Sequence, residues 1–361
     1  MSLPALTIQA IETHAVTVPV ARPVRTAIGA IESAPLVLID MVTAEGITGR
    51  AYIFAYIRPV LLALEKIVVD IGAELQGRQV APFDLMHYFD RRFRLAGWQG
   101  LIGMAVSGIE MACWDALGRA AGEPVARLLG GSVRKLPAYD SYGIIDLRKD
   151  LDTLAASVSS GFKAIKIKAG EGDLAKDISV VRAVRDAIGP DIRLMVDFNQ
   201  SLTVPEAIRR IDALAEFDLT WVEEPVKAED LEGHAEVRNA VTVPIQTGEN
   251  WWFPAGMAAA IRAGACDYAM PDLMKIGGIS GWVKAAALGE AAGIPVSSHL
   301  FAEASAHVMT VAPTAHFIEW LDFAGGILEE PFQVTDGHVT PRGPGLGMDW
   351  DLDAVRRYKT S

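Results

Sequence analysis

Three segments of the sequence decide the fold: RLMVD at residues 193–197, LTWVE at residues 219–223 and VPIQTGE at residues 243–249. Each has the apolar composition of a buried strand and ends in a carboxylate, Asp197, Glu223 or Glu249. Both intervals between these acids are 26 residues, the length of one strand plus one returning helix in a (β/α)₈ barrel. The spacing predicts three successive barrel strands whose tips together form a divalent-metal site.

The same alternation of strand and helix extends over most of the chain. Eight strand-like segments follow residue 135: PAYDS, KAIKIK, RLMVD, LTWVE, VPIQT, YAMPD, IPVSSH and HFIEW. Connecting segments such as residues 173–189 have apolar residues at three- and four-residue steps, as amphipathic helices do. Eight strands that alternate with helices are typical of a closed parallel barrel.

The first third of the chain has a different pattern. Residues 5–53 predict strands with an irregular loop over residues 21–33, and residues 58–122 predict helices that stop at Gly122. Strands followed by helices indicate a separate α+β domain. The predicted divisions are an N-terminal α+β capping domain over residues 1–130, the catalytic barrel over residues 131–330 and a C-terminal segment over residues 331–361 that returns to the capping domain.

Composition narrows the class of protein. Of the 361 residues 51% are hydrophobic, enough to fill a barrel interior, and the formal net charge is −12. This acidity argues against nucleic acid as a partner, because binding it requires a basic surface. Cys113 and Cys266 lie in apolar helical segments and predict buried packing residues in a reducing cytoplasm. No signal peptide is apparent, and the long apolar segment at residues 101–121 contains charged residues, so we expect no membrane partner.

Reactive side chains follow most of the predicted barrel strands. The carboxyl ends of the strands in such a barrel meet at one face, so these side chains are expected to converge on an active-site mouth. In strand order they are Lys166 and Lys168, Asp197, Glu223 and Glu224, Glu249, Asp272, His299 and Glu319. A single acid at a strand end is usually only solvated, and it is the joint pattern that predicts an active site.

Two sets of residues have the chemistry of bases. Lys166 and Lys168 lie on one face of their strand, because side chains two residues apart point the same way, and their repulsion is expected to lower the pKa of one of them. Lys163 is out of phase and is expected to face the helices. His299 and Asp272 end neighbouring strands, where a carboxylate bonded to one imidazole nitrogen raises the basicity of the other.

The motifs at the strand ends resemble those of the mandelate racemase subgroup of the enolase superfamily. The similar segments run nearly from end to end: KIK from Lys166, MVDFNQS from Met195, TWVEEP from Thr220, GENW from Gly248, MPDLMKIGG from Met270, SSHLF from Ser297 and PTAH from Pro313. The resemblance implies an α/β fold, a (β/α)₇β modified TIM barrel with an N-terminal α+β capping domain.

The resemblance also implies roles for individual residues. The implied Mg²⁺ ligands are Asp197, Glu223 and Glu249. The implied acid/base catalysts are Lys168 on one side of the substrate and the His299–Asp272 pair on the other, and Lys166 is an implied substrate contact. Positions near the metal or substrate are implied for Ser141, Asn199, Glu224 and Lys275. Glu319 would be a protonated acid that donates a hydrogen bond to the substrate carboxylate. The apolar neighbours Phe317, Trp320 and Leu321 would raise its pKa.

The residues predicted to bind the rest of the substrate come from the strand ends, from the lid at residues 22–33 and from residues 51–56. Val24, Ile28, Ile31, Tyr56, Leu300 and Leu321 are expected to line an apolar pocket for an aryl or alkyl group. Arg25 and Tyr142 stand where the resemblance would place histidines. Both changes are expected either to alter the polarity or position of the pocket wall or to be ordinary variation at its edge.

The expected function is that of a Mg²⁺-dependent racemase of a 2-hydroxy carboxylic acid such as mandelate, with this small carboxylate as its partner. The alternative is an acid-sugar dehydratase, in which His299 protonates a departing β-hydroxyl. A polyol would need several hydrogen-bonding groups in the lid, and VRTAIGAI at residues 24–31 contains few, which favours the racemase. A non-catalytic barrel is disfavoured, because every matched position has a chemically competent residue. The resemblance further implies a homo-oligomer, such as an octamer.

Overall fold

The N-terminal part of the chain forms an antiparallel sheet that packs on helices. The computed structural model describes residues 5–26 and 29–360. The sheet consists of β1 (Ile8–Thr26), β2 (Gly29–Thr43) and β3 (Thr48–Phe54), in that order. The helices of this part are α1 (Arg58–Leu75), α2 (Pro82–Phe93), α3 (Leu101–Ala121) and α4 (Val125–Leu128).

The prediction of an irregular loop over residues 21–33 was wrong. The described residues of this segment are extended, and those outside the bulge described below are paired, with Val24 opposite Ile31 and Thr26 opposite Gly29. The register shifts between Pro19, which lies opposite Ser33, and Val24, so β1 contains extra residues there. A β-bulge of this kind accommodates proline without ending the strand, because the proline nitrogen is not required to donate to the partner strand.

Helix α3 is the central helix of the capping part. It is apolar on nearly all sides and, by length and composition alone, it could cross a membrane, but 78% of its most apolar stretch is buried inside the protein. Gly108 allows it to pack closely on the sheet, since a Cβ there would lie 2.6 Å from Ile39 Cδ1. The helix ends at Gly122 in the left-handed conformation, as the sequence predicts.

Parallel strands form the barrel. They are β4 (Leu136–Ile144), β5 (Ala164–Lys168), β6 (Arg193–Asp197), β7 (Leu219–Glu223), β8 (Ile245–Thr247), β9 (Tyr268–Ala269) and β10 (Ile318–Trp320). They pair in the order β10, β4, β5, β6, β7, β8, β9. Residues 295–299 close the ring, because Ser297 donates to the carbonyl of Ala269 (2.8 Å) and Ser298 to that of Phe317 (2.9 Å).

Helices surround the barrel. They are α5 (Leu151–Ser159), α6 (Leu174–Ile188), α7 (Val204–Leu214), α8 (Leu231–Ala240), α9 (Phe253–Ala263), α10 (Leu273–Ile276), α11 (Gly278–Ala292) and α12 (Ala302–Met309). Asp173 and Asp230 accept hydrogen bonds from the first turns of α6 and α8, which explains where these helices begin. The predicted (β/α)₇β barrel with an α+β cap is confirmed.

The C-terminal segment contacts both parts of the molecule. The short strand β11 (His338–Val339) pairs with β4, and α13 (Leu352–Tyr358) packs on β1. After α13, the amide of Thr360 donates to the carbonyl of Ala15 (2.8 Å).

A buried carboxylate joins the cap to the barrel. Glu110 on α3 accepts hydrogen bonds from the amides of Ile279 (2.7 Å) and Ser280 (2.9 Å), which are unpaired N–H groups of the first turn of α11. It also accepts from Trp114 Nε1 (2.8 Å). Burial raises the pKa of Glu110 to about 7, although these donors oppose the shift. The contact leaves no room for a side chain at Gly278, where a Cβ would lie 1.9 Å from Glu110 Oε2.

We expect Gly278→Ala to be far more destabilising than Gly293→Ala. Both glycines have a left-handed backbone, with φ of +68° and +67°, but a Cβ at Gly293 meets nothing within 4 Å. The backbone strain shared by both variants costs about 1 kcal/mol. The collision with Glu110 adds roughly 1–3 kcal/mol in the first variant alone. Thermal unfolding of the two variants measures the difference, and equal shifts of the unfolding midpoint would contradict the contact between α3 and α11.

Candidate active site

Three carboxylates meet at the mouth of the barrel. Asp197 and Glu223 end the paired strands β6 and β7, and Glu249 follows β8. One ligand oxygen from each lies within 4.8 Å of the others. Asp197 and Glu223 are fully buried and Glu249 is partly exposed. The strand spacing seen in the sequence therefore brings the three predicted metal ligands together.

Two lysines balance this negative charge. Lys166 Nζ donates to Glu223 Oε1 (2.6 Å) and lies 2.9 Å from Glu319 Oε1, and Lys168 Nζ donates to Asp197 Oδ2 (2.5 Å). Burial lowers the pKa of both lysines, but the neighbouring carboxylates outweigh it and the pKa of each is raised. Beside these carboxylates alone neither lysine has the lowered pKa that the sequence predicts, because acids from adjacent strands outweigh the repulsion between the lysines. Lys163, which was expected to face the helices, is exposed.

Side chains from the barrel interior fix the orientation of Glu223. Its Oε2 atom accepts hydrogen bonds from Trp221 Nε1 and Gln246 Nε2, both at 3.2 Å. These two donors were not predicted from the sequence. The signal for Gln246 was present, since a polar residue in the apolar run VPIQT must find a partner once it is buried.

Glu319 differs from its predicted state. Ser141 Oγ donates to its Oε1 (2.8 Å) and the amide of Leu300 donates to its Oε2 (3.0 Å). Burial raises the pKa of Glu319, but the positive charges of Lys166 and His299 and the Leu300 amide lower it to about 2. With these partners alone Glu319 is an acceptor of hydrogen bonds, and its lowered pKa runs against the predicted neutral, hydrogen-bond-donating acid. The apolar sequence neighbours have less effect than the cations that approach from other strands.

His299 and Asp272 form the predicted pair. Their backbones bridge in parallel, and His299 Nδ1 lies 2.6 Å from Asp272 Oδ2. The other oxygen of Asp272 accepts from the amides of Met274 (2.7 Å) and Lys275 (3.1 Å), so the carboxylate is held in place. His299 Nε2 lies 3.3 Å from Glu249 Oε2. Burial lowers the pKa of His299, but Glu249 and the bond to Asp272 raise it to about 9.

A second polar chain runs beside the metal ligands. Lys275 Nζ donates to Asn250 Oδ1 (2.6 Å), and Asn250 Nδ2 donates to both carboxylate oxygens of Glu224 (2.9 Å each). The Lys275 ammonium also lies 4.9 Å from the centre of the Tyr56 ring. Burial and nearby Glu249 hold the pKa of Glu224 well above its usual range. Asn250 was not singled out from the sequence, although it directly follows Glu249.

The backbone at the mouth is strained at several non-glycine residues. Tyr56, Asn199, Glu224 and Leu300 all have left-handed φ values, of 60°, 42°, 38° and 48°. The amide of Asn199 donates to Asp197 Oδ1 (2.7 Å), so the unusual turn also holds a metal ligand. Such conformations cluster at functional sites, where surrounding contacts hold them in place.

A cavity of about 620 Å³ lies over these groups. Ten of the predicted site residues line it: Val24, Ile31, Tyr56, Lys168, Asn199, Glu249, Lys275, His299, Leu300 and Leu321. Unpredicted lining residues include Thr17, Phe54, Arg58, Asn250 and Phe323. The predicted substrate residue Ser141 is buried and does not line the cavity, but bonds to Glu319. Ile28, also predicted to line it, lies outside the described residues.

Arg25 and Tyr142 are not part of the cavity wall. Arg25 forms an ion pair with Asp150 and donates from Nε to the carbonyl of Ile144 (2.9 Å). The hydroxyl of Tyr142 contacts the carbonyl of Thr153 (3.0 Å) on the helix side of the barrel. The alternative in which Arg25 and Tyr142 alter the pocket wall by direct contact was wrong, because both side chains point away from the cavity.

The acidic group has the ligand chemistry of a magnesium site. Asp197, Glu223 and Glu249 offer only carboxylate oxygens, the ligands that hard divalent cations such as Mg²⁺ prefer. The ammonium groups of Lys166 and Lys168 already contact two of these carboxylates, Glu223 and Asp197. The acidic group therefore attracts positive charge. The site fits the predicted metal.

Two family models match the chain. Residues 10–130 match the mandelate racemase / muconate lactonizing enzyme N-terminal domain, and residues 150–354 match the enolase C-terminal domain-like family. The second match alone covers more than half of the chain.

Solved structures and curated relatives are also similar. A crystal structure of an enolase from Bradyrhizobium complexed with magnesium and mandelic acid is 56% identical, covers 100% of both chains and has a TM-score of 0.97. L-talarate dehydratase from Polaromonas sp. JS666, complexed with Mg and L-glucarate, is 28% identical over 99% of this chain and 98% of its own, with a TM-score of 0.90. D-galactarolactone cycloisomerase from Agrobacterium fabrum is 36% identical over 73% of this chain and 76% of its own.

The names of these relatives include a dehydratase and a cycloisomerase, so the similarity does not single out one reaction. Magnesium is bound in the Bradyrhizobium and Polaromonas structures, and the acidic group described above can hold it here. From the two family matches and the full-length structural similarity, we conclude that the chain belongs to the mandelate racemase subgroup of the enolase superfamily.

Proposed function

We propose that the protein is a Mg²⁺-dependent racemase of an aryl 2-hydroxy acid, with mandelate as the first candidate. The main support for the proposal is the set of side chains that line the cavity. Lys168 and His299 line it together with an apolar wall that consists of Val24, Ile31, Phe54, Leu300, Leu321 and Phe323. An apolar wall beside two acid/base groups suits an aryl group attached to an ionisable α-carbon. The similar Bradyrhizobium structure with mandelic acid supports the same substrate class.

In this proposal Lys168 and His299 exchange protons with the α-carbon from two sides. In the order of barrel strands, β10 and β4 separate the His299 segment from β5, which ends at Lys168. One group removes the α-proton and the other returns a proton to the opposite face, which inverts the configuration. Asp272 bonds to Nδ1 of His299, so Nε2 is the atom that exchanges the proton.

The remaining charged groups stabilise the product of proton removal, an enediolate. Mg²⁺ bound by Asp197, Glu223 and Glu249 supplies positive charge that stabilises this dianion and competes with Lys168 and His299 for the same carboxylates. Lys166 adds a second positive charge. Glu319 acts as an acceptor that orients Lys166, rather than as the neutral donor expected from the sequence.

An acid-sugar dehydratase of the same subgroup is the second candidate. Thr17, Thr26, Ser33 and Arg58 line the same cavity and bring hydrogen-bonding groups to its lid side. Thr17, Ser33 and Arg58 lie outside residues 24–31, so the cavity has more hydrogen-bonding groups for a polyol than that segment alone provides. The similarity to L-talarate dehydratase supports this alternative.

We also propose that the protein works in the cytoplasm as a homo-oligomer. Both cysteines, Cys113 and Cys266, are buried as free thiols, which suits a reducing compartment. The family resemblance supports an assembly of several copies. Sedimentation equilibrium of the purified protein tests the assembly, and a monomer at micromolar concentration would contradict it.

Polarimetry tests the racemase proposal against the dehydratase. The protein is incubated with Mg²⁺ and (R)- or (S)-mandelate, and separately with a panel of acid sugars that are assayed for 2-keto acid products. Loss of optical rotation from both mandelate enantiomers supports the racemase. Formation of a keto acid from an acid sugar, with unchanged rotation of mandelate, would replace it with the dehydratase.

We expect Glu249→Gln to weaken Mg²⁺ binding by about 100-fold or more, because a neutral amide replaces one of three charged ligands. The matched control is Glu171→Gln, which neutralises an exposed acid just beyond β5. Isothermal titration with Mg²⁺ measures both affinities. Binding within twofold of the wild type in Glu249→Gln would contradict the metal assignment.

We expect His299→Asn and Lys168→Ala each to retain α-proton exchange with one enantiomer of mandelate only, and with opposite choices. Each variant keeps one of the two proposed bases, and that base reaches one face of the substrate. Proton NMR in D₂O follows the exchange from each enantiomer. Lys163→Ala is the control and should stay within about threefold of the wild type, since Lys163 is exposed and outside the cavity. Equal loss from both enantiomers in either base variant speaks against the two-base scheme.

A further inference from the structure

The bulge in β1 carries an arginine to the barrel. Between Pro19 and Val24 strand β1 contains four residues where β2 has one, Glu32. A bulge redirects side chains away from the regular alternation of a strand. Here it brings Arg22 to the carboxyl end of β4, the barrel strand that contains Ser141.

Arg22 makes contacts that only a guanidinium can make together. Its Nη1 and Nη2 atoms donate to the two oxygens of Asp140, at 3.0 and 2.5 Å, and Nη2 also donates to the carbonyl of Ser141 (2.8 Å). Its carbon Cζ lies 3.8 Å from the centre of the Tyr142 ring. Asp140 is buried and accepts a further bond from Ser157 Oγ (2.5 Å). Arg22 therefore holds three consecutive residues of β4.

Arg25 makes a second attachment three residues later. It pairs with Asp150 and donates to the carbonyl of Ile144, at the end of β4. Its backbone crosses β4 at Gly143, where an added Cβ would lie 2.3 Å from the Arg25 carbonyl oxygen. The absence of a side chain at Gly143 thus permits the close crossing.

Val24 lies between the two arginines and is the part of this strand that forms the apolar wall of the cavity. It is buried, with 3% of its surface exposed. On the barrel side, the residue whose carbonyl Arg22 binds is Ser141, and the hydroxyl of Ser141 donates to Glu319 (2.8 Å). Through these contacts, the strand segment that contains Val24 and the Glu319 carboxylate are both attached to residues 140–144 of β4.

We propose that Arg22 and Arg25 form a latch that fixes the lid strand on β4 and so positions Val24 against the substrate. Both are positioning residues, because neither lines the cavity. The latch rests on the proposed function for its effect on substrate binding. Its structural part, the attachment of residues 20–26 to β4, is independent of which substrate is used.

Two variants separate the latch from general stability. Arg25→Ala removes the cationic partner of Asp150. Because Asp150 is already partly exposed, this variant does not leave an unpaired charge buried in the folded protein. Arg22→Ala is combined with Asp140→Asn, because Asp140 is buried and would otherwise lose its cation. Arg22→Lys tests the guanidinium itself, since lysine cannot bind both oxygens and the ring together. Arg92→Ala is the control, as it removes an exposed arginine that pairs with Glu74.

Hydrogen–deuterium exchange of the whole protein with Mg²⁺ tests the attachment. We expect exchange of the amides in residues 20–26 to become about tenfold faster in the two latch variants, to be intermediate in Arg22→Lys, and to be unchanged in Arg92→Ala. Unchanged exchange in both latch variants would overturn the latch.

Kinetics with mandelate test the effect on the substrate. If residues 20–26 are attached to β4 about a tenth as often, KM rises about tenfold while kcat stays within about threefold. Faster exchange with an unchanged KM would overturn the positioning role of the arginines. Wild-type protein without activity on mandelate would count against the proposed function, and the exchange result would still decide the latch.

Discussion

The crowding of carboxylates at the mouth of the barrel is the constraint on which the rest of the site depends. Oxygens of Asp197, Glu223 and Glu249 lie within 4.8 Å of one another in a largely buried setting. Such an arrangement is stable only with positive charge close by. Lys166 and Lys168 supply it from the neighbouring strand, and they are also groups that the proposed reaction uses. The electrostatic requirement of the metal site and the chemistry of proton transfer are therefore met by the same side chains.

The barrel alone does not form the cavity. Its floor comes from strand ends, whereas much of its apolar wall comes from the capping sheet, through residues such as Val24 and Phe54. Contacts far from the site hold the two parts together. One of them is the hydrogen bond from the amide of Ile279, in the first turn of α11, to Glu110 on α3. Similar structures hold different acids, mandelic acid in one and L-glucarate in another, so the barrel framework alone does not determine the substrate.

The strand-end residues of the site could be predicted from the sequence because a parallel barrel brings every strand end to one face. Their protonation states could not, because the pKa of Glu319 depends on Lys166 and His299, which approach from other strands. Arg25 was placed at the pocket edge by resemblance alone, and its partners Asp150 and Ile144 are recognisable only in the structure. Asn250 was missed because an amide beside a metal ligand has no pattern of its own until its partners Glu224 and Lys275 are known.

We expect Asp197, Glu223 and Glu249 to bind one divalent cation together. The most direct measurement is an anomalous difference map from crystals grown with Mn²⁺, which replaces Mg²⁺ at oxygen sites and scatters anomalously. We expect the strongest peak within coordination distance of all three carboxylates. A strongest peak elsewhere, or one that any of the three carboxylates does not reach, would contradict it.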